Sequence, residues 1–285
     1  MSSRKEYRTV YLKDIQPSQS YLSDERLEGL EGDMEPLPVR KIGDRLFFTD
    51  GHHRAYRLLQ KGREEIKVRK DEDDMDWLEY LVCVDWCENE GLMDVEDLGD
   101  RIVDEDVFEK EWLKRCEKMH QRLDEKGPGH FVEIEEVKDS DDKSELCELI
   151  LRSLPDYFGI EKAIQEYIRD VRDKYFLSAK IGEISVGFCA LKDHNEFTSE
   201  LYLIGVLEEL QGRGIGKRLI GRLEKHISSE GKKYLTVKTL GPSRESEYYE
   251  RTRGFYRSVG FVPLEEFKEL WDDDPCLFMV MDLED

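Results

Sequence analysis

At 285 residues the chain is long enough for two domains of roughly 100–200 residues each. Asp and Glu total 66 against 44 Lys and Arg, a formal net charge of −22 that argues against nucleic acid or anionic membrane as a partner, since both are bound through basic surface. There is no apolar run of about 18 residues and no apolar core in Met1–Glu6, so the expectation is a cytoplasmic protein with neither a membrane span nor a signal peptide. Six cysteines are scattered without a Cys-x-x-Cys pair. Cys83 and Cys87 could share a helix face, but no histidine pair accompanies them, so free thiols and no metal site are expected.

In chain order, Tyr7–Leu12 reads as a strand, Asp24–Glu31 as a short helix, and Leu37–Ile42 with Leu46–Thr49 as a hairpin turning at Gly43-Asp44. Asp50-Gly51-His52-His53-Arg54 then opens a helix that Gly62 stops, and Ile66–Arg69 is a further strand. From Asp71 to about Lys126 the chain is highly charged. Trp77, Leu81, Trp86, Leu98, Ile102, Phe108 and Trp112 still supply enough apolar surface to pack, which predicts a helical extension of the first domain.

Gly127-Pro128-Gly129 breaks secondary structure and sets the expected boundary between domains at 1–126 and 130–285. Beyond it, Phe131, Ile134 and Val137 suggest a strand. Leu146, Leu149, Ile150 and Leu154 suggest one helix, and Ala163, Ile164, Tyr167, Ile168 and Val171 a second. Phe176–Lys180 and Ile184–Leu191 flank Ile181-Gly182-Glu183 as a hairpin, and Asp193-His194-Asn195 turns into the strand ending at Val206.

That strand feeds Gln211-Gly212-Arg213-Gly214-Ile215-Gly216-Lys217, a glycine-rich turn opening a helix with Ile215, Leu219, Ile220, Leu223 and Ile227 on one face and Gly231 at its end. The first N–H groups of a helix have no intrahelical partner and carry partial positive charge, so a pyrophosphate can dock there. A Walker loop would need Ser or Thr after Gly216-Lys217, where Arg218 stands, and no first βαβ unit precedes the turn as a dinucleotide fold requires.

The segment with Gln211, Gly214 and Gly216, together with Gly254-Phe255-Tyr256-Arg257-Ser258-Val259-Gly260-Phe261 downstream, resembles the GNAT superfamily of acyl-CoA-dependent N-acetyltransferases. The resemblance implies an α/β (α+β) domain, a mixed sheet flanked by helices. It also implies acetyl-CoA as co-substrate, held by Val206, Leu207 and Gln211–Lys217, and an amine acceptor, either a small molecule or a peptide. Val206 N–H would polarise the thioester carbonyl. Glu200, eleven residues before Gln211, would be the general base, and Tyr256 the acid that protonates the leaving thiolate. A solvent-facing strand glutamate and a core aromatic are the other readings of these two positions. The superfamily's asparagine is not evident in Leu235–Leu240, and Gly241–Arg253 reads as a loop that brings Tyr248 and Tyr249 to the acceptor site. Tyr157, Phe158 and Trp271-Asp272-Asp273-Asp274 are candidates for an aromatic and acidic acceptor pocket.

Residues 7 to 70, with Pro17-Ser18-Gln19 and Asp50–Arg54, resemble the ParB/sulfiredoxin-like fold. The resemblance implies a nucleotide held by Asp50, Gly51, His52, His53 and Arg54. It also raises a competing function, a nucleotide-dependent serine-like kinase using Asp24 or Glu25 as catalytic carboxylate, with the second domain as ligand sensor. His52 stands where sulfiredoxin has its cysteine, which argues against sulfinic acid reduction. A helix start at Asp50 with no ligand remains the other reading.

Overall fold

The computed structural model describes residues 7–284 apart from 33, 43, 44, 74, 272 and 273. The expected Gly43-Asp44 turn and Asp272-Asp273 lie outside the described residues. The chain divides into two compact units, the first comprising Met1–Phe131 with Ile181–Glu183 and the second Val132–Lys180 with Ile184–Asp285.

The first unit begins with β1 (Tyr7–Tyr11), β2 (Ile15–Gln16), β3 (Leu22–Ser23), α1 (Asp24–Glu28), β4 (Leu37–Ile42), β5 (Arg45–Phe48), α2 (His52–Gln60) and β6 (Glu65–Lys70). Five of these strands form one sheet in the order β1-β6-β4-β5-β2. Its core gathers Leu12, Ile15, Leu37, Phe48, Ala55, Ile66 and Val68, the residues that alternate along the strands and face them from α2. The charged extension is ordered, as α3 (Trp77–Asn89), β7 (Ile102–Val103), α4 (Glu105–Phe108) and α5 (Lys114–Lys126), with β7 paired to β3. Helix α1 stops at Glu28, three residues short of the expected Glu31, because Gly29 caps it and donates its N–H to Glu25.

The second unit consists of β8 (Glu133–Glu136), α6 (Ser140–Arg152), α7 (Glu161–Asp170), β9 (Tyr175–Ile181), β10 (Ile184–Asp193), β11 (Thr198–Val206), α8 (Ile215–Ser229), β12 (Tyr234–Leu240), α9 (Glu247–Ser258), β13 (Val262–Trp271) and β14 (Asp274–Asp282). All seven strands join one sheet in the order β13-β14-β12-β11-β10-β9-β8. Strand β10 is buried over eight consecutive residues, Ile184–Leu191, because both of its faces are covered and both α6 and α8 pack on it. Phe188 on β10 stacks against Phe176 on β9 with ring centroids 5.0 Å apart, and both are wholly buried.

The buried stripe of α6 runs through Lys143, Ser144, Cys147, Ile150 and Leu151, so Leu146 and Leu149 are only half-buried; the Lys143 ammonium is accommodated by the Lys174 carbonyl at 2.8 Å. The loop expected over Gly241–Arg253 gives way to α9 from Glu247, capped by Ser246, whose hydroxyl accepts the Tyr249 N–H at 3.4 Å. A first turn of Glu247, Tyr248, Tyr249 and Glu250 has no aliphatic periodicity, so the sequence pattern did not mark it as helix.

Removing the Phe188 ring leaves a cavity between two closed layers. Phe188→Ala is expected to cost about 3–5 kcal/mol, read as a lower urea midpoint for the second unit at unchanged slope.

Candidate active site

Strands β11 and β12 run parallel, and their pairing ends early. The register runs from Thr198↔Tyr234 to Leu201↔Val237, whereas β12 continues to pair with β14 as far as Leu240↔Cys276. The cause lies in β11: Ala190 opposes Leu203 and Leu191 opposes Leu201, so Tyr202 is an extra residue, a bulge that bends the strand. The sheet therefore opens between Tyr202–Val206 and Lys238–Leu240. Leu207 N–H donates to Val186 O at 3.0 Å, so the antiparallel alternation turns the N–H groups of Val206 and Ile204 away from β10 and toward the opening. A backbone edge inside a sheet is unusual, because unpaired N–H and C=O groups carry a penalty unless something fills the gap.

Past the end of β11, Gln211 donates its side-chain amide to Val206 O at 3.1 Å. Gly212 and Gly214 have φ of 77° and 79°, left-handed values that favour glycine, and space is open where a Cβ would stand at either position. Gly214 is the N-cap of α8, with no side-chain cap and no acidic residue in the first turn. The N–H groups of Ile215, Gly216 and Lys217 thus point out of an electropositive helix end, since the first bond made to this turn is from Arg218 N–H to Gly214 O. Gly216 has another role, because a Cβ there would come within 3.0 Å of the Phe255 ring of α9.

Glu200 is buried, and its carboxylate accepts from Lys238 Nζ at 3.0 and 3.2 Å; His194 Nε2 lies 2.7 Å away. It is therefore not a solvent-facing strand residue. The ion pair joins the two strands where they part. The Tyr256 ring is buried between Phe255 and Phe261, and burial with Tyr249 nearby raises its hydroxyl above the ordinary range. So raised, the hydroxyl stays protonated and can act as a donor.

Aromatic rings extend the site. Tyr157 lies edge-on to Tyr248 and Tyr249, at 5.4 and 6.1 Å, and Tyr249 donates to Tyr157 O at 3.0 Å. Phe158, Tyr167 and Tyr202 continue as edge contacts at 6.1 and 5.9 Å, and Tyr202 donates to Asp170 at 2.7 Å. Burial, followed by that bond, raises the Tyr202 hydroxyl. The structure thus brings Tyr157 together with Tyr248 and Tyr249, whereas Trp271 lies exposed on the edge strand β13. Tyr202, Asp170, Lys238 and His194 escaped the sequence reading, because each becomes notable only once strand register and helix packing are known.

In the first unit, Gly51 is a left-handed N-cap (φ 85°) of α2, and Asp50 pairs with Arg54 at 3.0 Å. The two histidines do not offer themselves to a ligand through Nε2. His52 Nε2 accepts the Ser18 N–H and His53 Nε2 accepts the Ser23 N–H, both at 2.9 Å. Burial lowers His52 to about 3; burial and then Arg26 lower His53 to about 4. Asp24, in the first turn of α1 beside Ser23, accepts the Glu25 N–H at 2.7 Å. No cluster able to hold a metal ion, and no helix long and apolar enough to cross a membrane, occurs among the described residues.

Residues 172–263 match the model of the acetyltransferase (GNAT) domain. An uncharacterized N-acetyltransferase of Chlorobaculum tepidum is 26% identical over 117 residues, 40% of this chain and 67% of the relative. Among solved structures, a PaiA N-acetyltransferase of Thermoplasma acidophilum in complex with coenzyme A aligns at TM-score 0.41 and 21% identity, over 53% of this chain and 99% of its own. A GNAT family acetyltransferase of Elizabethkingia anophelis with acetyl-CoA bound gives 0.40 and 17%, over 53% and 98%. The chain carries a GNAT acetyltransferase domain over residues 172–263.

The neutral histidines generate a pH prediction. A folded pKa below the unfolded value means that the unfolded chain binds more protons between about 3 and 6.5, so stability rises with pH across that window and is lost as pH falls. The first unit is expected to lose urea resistance from pH 6.5 toward 4, and the double variant His52→Gln, His53→Gln, whose amide oxygens can still accept, is expected to flatten that dependence.

Proposed function

We propose that the chain transfers an acetyl group from acetyl-CoA to an amine held between β11, α7 and α9. The observation that carries this reading is the opening between β11 and β12. Its free edge, at Ile204 and Val206, is suited to the amide-bearing pantetheine arm, which would add to β11 as an extra strand does, while the pyrophosphate meets Gly212–Lys217 at the start of α8. Since Leu207 N–H is already given to Val186, the pairing residues are Ile204 and Val206, not Val206 and Leu207.

In this reading Val206 N–H donates to the thioester carbonyl and stabilises the oxyanion that forms when the amine attacks. The ammonium loses its proton, through water, to Glu200, whose carboxylate also accepts from Lys238; the thiolate leaves with the proton of the Tyr256 hydroxyl. The aromatic wall of Tyr157, Tyr167, Tyr202, Tyr248 and Tyr249, with Asp170, favours a cationic acceptor.

The ParB/sulfiredoxin-like reading of the first unit is supported by the β5–Gly51–α2 connection. With both histidine Nε2 atoms engaged, phosphate binding there would rest on the N–H groups of His52, His53 and Arg54.

Gly214→Glu puts a Cβ into a left-handed position and a negative charge at the helix start. Calorimetric titration is expected to show acetyl-CoA affinity reduced by at least about tenfold; unchanged affinity removes the loop assignment. Tyr256→Phe should lower kcat by about 10²–10⁴ while acetyl-CoA affinity stays the same, and Glu200→Gln should cost less. Equal turnover in all three proteins would remove both catalytic roles.

A further inference from the structure

Helix α5 carries Arg115, Lys118, Met119 and Arg122 at spacings of three, four and seven residues, which puts them on one face, while Glu117 and Asp124 fall on the opposite one. That face, Trp86 of α3 and Phe131, just past the Gly127-Pro128-Gly129 break, line a pocket of about 260 Å³. The lining is three cations and three apolar side chains with no carboxylate among them, in a chain whose net charge is −22. The positive charge is not cancelled by neighbours. Arg115 pairs with Glu90, but Glu90 is shared with Arg101 at 3.2 Å. Among the described residues, Lys118 and Arg122 enter no ion pair. Like charges three and four residues apart on a helix repel, so Arg115 with Lys118 and Lys118 with Arg122 cost stability that an anion bound between them would restore.

The apolar half of the lining is held in place. The Trp86 ring stands edge-on to the buried Trp112, with centroids 6.3 Å apart, and the Arg115 guanidinium lies over it at 4.1 Å. Trp86 and Phe131 are both half-buried, so each still offers ring surface, and the Met119 thioether fills the space beneath the cations. We propose that this pocket binds a small aromatic anion, a ligand of one or two fused rings bearing a phosphate or carboxylate group. The flat ring meets Trp86, Phe131 and Met119, and the acidic group accepts from the Arg122 guanidinium and the Lys118 ammonium. A volume just under the roughly 300–1,000 Å³ of ordinary ligand pockets sets the size limit. Inorganic phosphate alone would leave the aromatic half of the lining uncovered. Every lining residue belongs to the first unit, and nothing in the site depends on acetyl-CoA binding.

The test is calorimetric titration of the folded full-length chain with 1-naphthyl phosphate and 1-naphthylacetate, with inorganic phosphate and acetate as ring-free controls and 1-naphthylacetamide as the uncharged one. At least one aromatic anion is expected to bind saturably with Kd below about 1 mM, and all three controls at least about tenfold more weakly. The tighter of the two anions identifies the acidic group. Lys118→Glu combined with Arg122→Glu, both at exposed positions that the fold does not need, should weaken binding at least about tenfold. Lys61→Glu combined with Lys67→Glu, the same change of charge at the end of α2 and on β6, should leave it unchanged. No binding of either aromatic anion, equal binding of the ring-free or uncharged controls, or affinity unaltered by the Lys118 and Arg122 reversal would overturn the proposal.

Discussion

A parallel pair of strands that stops pairing halfway is the constraint on which the second unit depends. Backbone N–H and C=O groups are satisfied almost everywhere in folded proteins, so an opening inside a seven-stranded sheet needs a cause and an occupant. The bulge at Tyr202 is the cause, since one extra residue bends β11 away from β12 while β12 keeps its bonds to β14. An amide-bearing arm is the chemically natural occupant, because it can make the bonds that β12 has given up.

The neighbouring features make sense around that opening. Glu200 and Lys238 join the strands at the point of divergence, and a buried carboxylate there is tolerable because it is paired. Arg253 of α9, itself buried, donates to Leu240 O at 2.9 Å and so ties α9 to the far end of β12. Phe255 fills the space that Gly216 leaves, which sets α9 against the start of α8. Tyr256 then sits with its ring in the core, held in place by apolar neighbours, while its hydroxyl keeps its proton.

Much of the architecture was legible because hydrophobic period and glycine placement coincide. The α8 stripe from Ile215 to Ile227, the Gly231 stop and the hairpin at Ile181–Glu183 all appear where the pattern put them. The start of α9 was not legible, since Glu247–Thr252 carries tyrosines and charges in place of an aliphatic stripe. His52 and His53 show a different limit. Two histidines at a helix start after an Asp-Gly turn suggest ligand contact, yet each accepts a backbone N–H from a distant residue, Ser18 and Ser23. No spacing rule carries that information. The same holds for Tyr202, whose position as an extra residue exists only in the pairing with β10.

Amide hydrogen exchange with and without acetyl-CoA tests the central claim most directly, because it reads the edge groups themselves. The account predicts that ligand slows exchange at Ile204 and Val206 on β11 and at Ile215–Lys217 on α8, while β1–β6 exchange unchanged. Binding of acetyl-CoA with no protection at Ile204 and Val206 would contradict it, since the cofactor would then lie somewhere other than in the opened sheet.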